Sequence, residues 1–379
     1  MSITYSLFLT EIHLFFVFLN MKKEQKLGFA DFIVEKRKIK QDFFNQVNIL
    51  VDWRLVSNII NKHYKKGESA TGRASYDGLI LFKMALLQTW YGLSDYEVED
   101  RVNDSISFSR FVGISMDDSV PDHSVLSRFR TELTEKGVYE KIFKSLNKQL
   151  DKHKILVKTG AIIDASIIDS PLKPKGTVTY EIENDRAEEE RSKEQKELES
   201  KEQTLLKLEK SGVDTDARWI KKAGKLRYGY KKHYVTDQEG LILGVLTTAA
   251  NVNEISNLEE VLETADLTEG IYLSADKGYS SEKNEEILKK KKIKSRILSK
   301  AKKGKPLTER EKLRNKLIGK TRFKVERTFG SIKRWFNSTH ARYRGITKMH
   351  TQNLMEAVAY NLYRSPGIIA SNSFKMAKM

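Results

Sequence analysis

Residues 160–168, Gly-Ala-Ile-Ile-Asp-Ala-Ser-Ile-Ile, form a short run that is apolar almost throughout and carries one carboxylate, Asp164, at its centre. Such a run predicts a strand buried on both faces, in a sheet with helices packed against it. An unpaired carboxylate there costs about several kcal/mol, so Asp164 requires a buried base or a bound cation. The downstream pattern keeps to the same architecture. Segments 228–235 and 241–247 flank Thr-Asp-Gln-Glu-Gly at 236–240 and read as a hairpin. A helical pattern over 254–265 precedes a strand at 270–274 that ends at Asp276. A helix over 282–291 leads to a strand at 293–298, and a further helix follows. This order describes a mixed α/β sheet with helical crossovers.

Residues 21–155 read as helices instead. Ser75 is placed to cap a helix through Leu79, Phe82, Leu86 and Trp90, which Gly92 closes. Ser94-Asp95-Tyr96-Glu97 is a capping box that opens a second. Asp122 is placed to cap a third, carrying Val125, Arg128, Phe129, Arg130 and Leu133 and ended by Gly137. Short helices joined by tight turns, the last one basic, predict a helix-turn-helix type of DNA-binding domain, although any small helical domain shares the pattern. Residues 1–20 read as a translated upstream extension ahead of a native start at Met21. As a membrane anchor the apolar stretch 7–19 is too short, and Thr10, Glu11 and His13 interrupt it. Segment 181–210 has 11 acidic and 7 basic residues and almost no apolar ones, as expected of a solvated helical insertion. The expected organisation is a helical domain over 21–155 and a sheet domain over 156–370. The sheet domain carries a charged insertion over about 172–224, and 371–379 is a tail.

The chain contains no cysteine, which excludes disulfides, thiolate metal sites and cysteine nucleophiles. Its seven histidines are scattered without a zinc-like spacing, so any metal ligands are carboxylates, pointing to Mg2+ or Mn2+. The formal charge is +17, and residues 300–348 hold 17 Lys and Arg against Glu309, Glu311 and Glu326 alone. That concentration predicts a nucleic-acid partner. A membrane surface is the weaker alternative, because no basic helix has a clean apolar face.

Within that stretch Arg322, Glu326, Gly330 and Lys333 fall on one helical stripe, while Val325, Phe329, Ile332 and Phe336 form an adjacent core-facing one. A glycine in mid-helix costs about 1 kcal/mol relative to alanine. Here it leaves room for a backbone or a large ligand beside a single acid held among bases. Asp164, Asp276 and Glu326 therefore stand out as three acids suited to holding two divalent cations. Asp169 is the rival first ligand, at a point where the strand gives way to Ser170-Pro171.

These residues resemble a known family. The chain, from residue 27 to about 363, is similar to bacterial insertion-sequence transposases of the DDE class, in the insertion-sequence-five-like group. The resemblance rests on Pro121-Asp122-His123-Ser124 with Arg128-Phe129-Arg130, on Ile163-Asp164-Ala165-Ser166, and on Asp214-Thr215-Asp216-Ala217-Arg218-Trp219. It continues through Tyr228-Gly229-Tyr230-Lys231-Lys232-His233, Ala250-Asn251-Val252-Asn253, Ala275-Asp276-Lys277-Gly278-Tyr279 and the run from Val325 to Lys333. Many relatives carry a tyrosine where this chain has Gly319.

The resemblance implies a ribonuclease-H-like domain with a five-stranded mixed sheet, preceded by the helical domain. It implies Asp164, Asp276 and Glu326 as catalytic and metal-binding residues, with two Mg2+ or Mn2+ as cofactors. Arg322, Lys333, Arg327, Arg334, Lys277, Arg128, Arg130, Lys231 and His233 are the expected DNA contacts. The implied activity is metal-dependent hydrolysis at the element's terminal inverted repeats, followed by strand transfer to target DNA. A homodimer or higher oligomer acting on DNA in the bacterial cytoplasm, without a membrane, is expected. A silent regulatory relative and a structure-specific nuclease on the same scaffold are the competing readings.

Overall fold

The computed structural model describes residues 43–64, 75–115, 117–174, 212–222, 224–301 and 306–376. The expected upstream extension and the charged segment 181–210 lie outside the described residues. Among the described residues seven helices come first: α1 (Phe43–Leu50), α2 (Trp53–Asn61), α3 (Gly78–Tyr91), α4 (Asp95–Asp104), α5 (Ile106–Val112), α6 (His123–Glu135) and α7 (Val138–Lys152). Local chemistry sets their ends. Ser94 and Glu97 form the expected reciprocal capping box at α4. The Asp122 side chain accepts from the Val125 N–H at α6, and Gly92 closes α3 at a left-handed φ of 66°. The α3 start differs from expectation. Asp77, not Ser75, is its cap, because Asp77 lies two residues before the free N–H of Leu79 and accepts from it at 2.9 Å.

The sheet is built from β1 (Gly160–Asp169), β2 (Arg218–Lys222), β3 (Lys225–Asp237), β4 (Ile242–Ala249), β5 (Tyr272–Ala275) and β6 (Lys294–Ile297). β1 is central, antiparallel to β3 on one side and parallel to β5 on the other. β4 pairs antiparallel with β3, and β6 pairs parallel with β5. Among the described residues the sheet thus has six strands, not five. The extra one, β2, pairs with the start of β3 and lies inside the span expected to be a helical insertion.

The predicted helix over 254–265 is a 3-10 turn (Glu254–Asn257) followed by α8 (Leu258–Glu263). A second 3-10 turn (Lys277–Tyr279) follows β5, and α9 (Glu282–Lys290) precedes β6. Two long helices, α10 (Glu309–Trp335) and α11 (Ile346–Met376), complete the fold. No helix among the described residues is long and apolar enough to cross a membrane.

One hydrophobic core runs from the helical part into the sheet, containing Phe44, Trp90 and Phe129 together with Ile163, Tyr234 and Phe329. α11 joins the two parts, accepting a hydrogen bond from the Trp90 indole at the Ala359 carbonyl, 2.8 Å away. On β3, Lys232 is wholly buried and reaches Glu356 of α11 at 2.8 Å. Asp214, also wholly buried, accepts from the Tyr230 hydroxyl at 2.6 Å, while its N–H donates to the Leu172 carbonyl at 2.9 Å. The chain leaving β1 and the chain entering β2 are thereby tied together.

Candidate active site

β1 and β5 run side by side with Ile163 opposite Ala275, so the next residues, Asp164 and Asp276, stand together where β5 ends. Asp276 leaves the sheet as the cap of the following 3-10 turn, its Oδ1 accepting from the Lys277 N–H at 2.7 Å. Asp164 accepts from the Ala165 N–H at 2.9 Å. A single cation lies between them. Arg322 of α10 places Nη2 at 3.2 Å from Asp164 and Nη1 at 3.4 Å from Asp276. Its guanidinium is nearly buried, and Nε has no hydrogen-bond partner among the described residues.

Burial raises the Asp164 pKa above the ordinary carboxylate value. The Arg322 charge opposes the rise, and the Asp276 and Glu254 charges add to it. Glu254 is the acid that sequence reasoning missed. It stands at the first turn after β4, and its Oε2 lies 2.9 Å from where a Gly278 Cβ would sit. Gly278 leaves room for this carboxylate beside the loop after Asp276. The signal available in the sequence was its position directly after Asn251-Val252-Asn253. Its other neighbour is Lys231, whose Nζ lies 3.5 Å from Glu254 and donates to the Val252 carbonyl at 2.8 Å.

α10 presents the two expected stripes. Val325, Phe329, Ile332 and Phe336 are buried, with Phe329 stacked on Tyr234 at 5.0 Å between ring centroids. Tyr234 is the cross-strand partner of Asp164, so this stacking seats the helix beside the carboxylates. Glu326 is exposed one turn after Arg322 and makes no hydrogen bond or ion pair among the described residues. A Cβ on Gly330 would meet nothing within 4 Å, so the side of α10 next to Glu326 is open to another molecule.

The donor set suits a hard divalent cation in part. Asp164 and Asp276 bring two anionic groups to one cationic group, the chemistry Mg2+ and Mn2+ need. No three His, Asp or Glu side chains among the described residues stand close enough to hold a metal together. Glu326 thus does not converge on the pair. Asp169, the rival ligand, is occupied elsewhere, in a two-pronged ion pair with Arg227 at 2.7 Å on both contacts.

The expected DNA contacts divide by exposure. Arg128, Lys277, Arg327 and Arg334 are exposed and Lys333 is half-buried, with burial and nearby positive charges lowering its pKa. Three others need correction. His233 has no exposed surface, lying between the Tyr279 hydroxyl at 3.2 Å and Thr248 at 3.1 Å, and burial lowers its pKa to about 3. It is neutral and structural, inaccessible to DNA. Lys231 is buried against Glu254 and the Val252 carbonyl. Arg130 is spent on Asp95 at 2.8 Å and on the face of Tyr343. Arg322 is likewise turned inward, toward the two aspartates rather than outward.

Residues 156–362 match the family described as transposase DDE domain, and residues 32–132 match a second transposase domain. A transposase for insertion sequence element IS1106 from Neisseria meningitidis serogroup B is 32% identical over 241 residues, covering 63% of this chain and 76% of the relative. Among solved structures, a piggyBac transposase synaptic complex with hairpin DNA aligns with a TM-score of 0.40 at 12% identity, over 88% of this chain and 74% of that one. A Mos1 transposase paired-end complex aligns with a TM-score of 0.21 at 10% identity, over 96% of both chains. These structural likenesses are distant, and the assignment rests on sequence. Matched over more than half its length, the chain belongs to the DDE transposase family, with the transposases of bacterial insertion sequences.

Proposed function

We propose that this chain binds the terminal inverted repeats of an insertion sequence, cleaves DNA there and joins the freed 3′-hydroxyl to target DNA. The observation that carries the reading is the convergence of Asp164 and Asp276 on Arg322, from the helix that also bears Glu326. The strand order supports a ribonuclease-H-like scaffold: β4, β3 and β1 are antiparallel neighbours, and β5 and β6 continue parallel to β1, with β2 as an addition. Asp164 and Asp276, with Glu326 brought in from α10, would hold two Mg2+ or Mn2+. Divalent cations so held supply the positive charge that acidifies an attacking water and stabilises the leaving oxygen of a phosphodiester.

The chain's own side chains account for the remainder. Lys333, half-buried on the same stripe of α10 as Glu326, offers a point charge for a phosphate, while Arg322 is held inward as the counter-charge of the two aspartates. Lys277, Arg327, Arg334 and the bases near the start of α10 give backbone contacts without sequence preference. In each step one P–O bond of a phosphodiester breaks as a new P–O bond forms to the oxygen of water or of the 3′-hydroxyl. The attacking oxygen loses a proton and the leaving 3′-oxygen gains one, so no protein nucleophile is required. The helical part over 21–155, with Arg128 exposed on α6, is the proposed end-binding domain. Two ends must be held together, so a dimer on bacterial DNA in the cytoplasm is the expected working form. With 6–10 phosphates engaged, affinity should fall about 10³–10⁵-fold between 50 and 200 mM salt.

The test is strand cleavage of a labelled duplex carrying the element's end, with Mg2+ or with EDTA, comparing the wild type with Glu326→Gln. Cleavage at the repeat boundary is expected only with metal and only with Glu326 intact. Specific binding without cutting would identify a regulator, cutting without joining would identify a nuclease, and equal cutting by the variant would remove Glu326 from the mechanism.

A further inference from the structure

β2 and the first residues of β3 form a two-stranded ribbon that the sheet does not need for its core. Every position of β2, and β3 as far as Arg227, is exposed or half-exposed, whereas β3 is buried from Tyr228 onward. The register pairs Ile220 with Arg227 and Lys222 with Lys225 on one face, and Trp219 with Tyr228 and Lys221 with Leu226 on the other. Residues 218–229 contain five Lys and Arg and no acid. Arg218 donates to the carbonyls of Thr215 and Ala217, and Arg227 is held by Asp169. Lys221, Lys222 and Lys225 have no ion-pair partner among the described residues. Beside them Leu226 and Trp219 are exposed at 64% and 41%.

Like charges crowded on a narrow ribbon, without ion-pair partners among the described residues, oppose folding, and they suit a polyanion that neutralises them. The location narrows the choice. Arg227 ties the ribbon to the end of β1, the strand of Asp164, and the charges of Lys222 and Arg227 act on Lys333 of α10. The cations therefore continue from the ribbon to the Glu326 helix. A two-stranded ribbon has the width to enter the major groove of a duplex.

We propose that the β2–β3 ribbon is a DNA-docking element that enters the duplex beside the cleavage site, with Lys222 and Lys225 from one face and Lys221 from the other reaching phosphates on either side of it. The transposase reading supplies the identity of the polyanion; the ribbon itself is assigned by charge, exposure and register.

The experiment measures binding of the full chain to a labelled end duplex across a salt series, for the wild type and for the combined Lys221→Gln, Lys222→Gln and Lys225→Gln variant. Loss of about three phosphate contacts should make the slope of log affinity against log salt shallower by about 2.7. Acetylation of the wild-type lysines with and without duplex gives an independent readout if the variant folds poorly. Lys221, Lys222 and Lys225 should be protected by DNA, and Lys289, exposed on α9, should not. An unchanged slope, or equal acetylation in both conditions, overturns the ribbon's role while leaving the transposase reading intact. A wild type without salt-dependent DNA binding overturns both.

Discussion

Asp164→Asn is expected to abolish end cleavage, by on the order of 10³-fold or more, while leaving the metal-free fold at least as stable as the wild type. The two effects share one cause. Asp164 is a carboxylate in a buried strand, and burial raises its pKa despite the Arg322 guanidinium at 3.2 Å. A carboxylate whose folded pKa lies above its unfolded value binds its proton more tightly in the folded state. Its contribution to stability is then present at low pH and is lost as pH rises from the unfolded pKa through the folded one. At neutral pH the charged group therefore opposes folding, and asparagine relieves the opposition while removing the anionic oxygens. Thermal melts with EDTA and with saturating Mn2+ separate the terms. Metal should raise the wild-type midpoint and leave the variant unmoved, since only a folded state that binds the ion gains from it. A variant that melts well below the wild type in EDTA would mean that Asp164 is there to anchor Arg322.

Periodicity made the frame of this site legible in the sequence. The apolar run around Asp164 is β1, the segments around the turn at 236–240 are β3 and β4, and the strand ending at Asp276 is β5. In each, the residue pattern itself is the physical cause of burial on two faces. The same holds for the buried stripe from Val325 to Phe336 and for the Ser94–Glu97 capping box, which depend on spacing within a single element.

What was hidden depends on contacts between distant residues. Nothing local distinguishes Lys231 or His233, fully inside, from Lys277, which is exposed; only the packing of β3 against the chain after β4 does so. Arg322 reaches partners 158 and 46 residues away, so its inward turn has no sequence trace. Glu254 joins the site because a loop after β4 meets the loop after β5. β2 escaped for the opposite reason: a strand exposed on both faces has no apolar alternation, and its lysines read as part of the charged insertion.

Removing one partner of the Lys232–Glu356 pair should cost about 3–5 kcal/mol, an effect expected of few other substitutions in the chain. Both side chains are almost completely buried and 2.8 Å apart. Their remaining valences are met by Ser338, which Lys232 reaches at 3.0 Å, and by Gln352, which donates to Glu356 at 2.9 Å. Lys232→Met leaves the Glu356 carboxylate buried without its cation and should lower the melting midpoint by on the order of 5–10 °C. The combined Lys232→Met and Glu356→Leu replacement removes both charges and should recover most of that loss, because the penalty comes from an uncompensated charge and not from the missing attraction. The site would feel the single substitution as well. Lys232 lies two residues from Tyr234, which pairs across the strand with Asp164 and stacks on Phe329 of α10. Cleavage by the single variant should therefore fail at a lower temperature than its melting midpoint alone accounts for, and the double variant should restore both together. If the double variant regains stability without activity, the pair's contribution lies in holding β3 and α11 in register beneath Asp164, and hydrogen exchange at the Tyr234 and Asp164 amides would show the loosened strand.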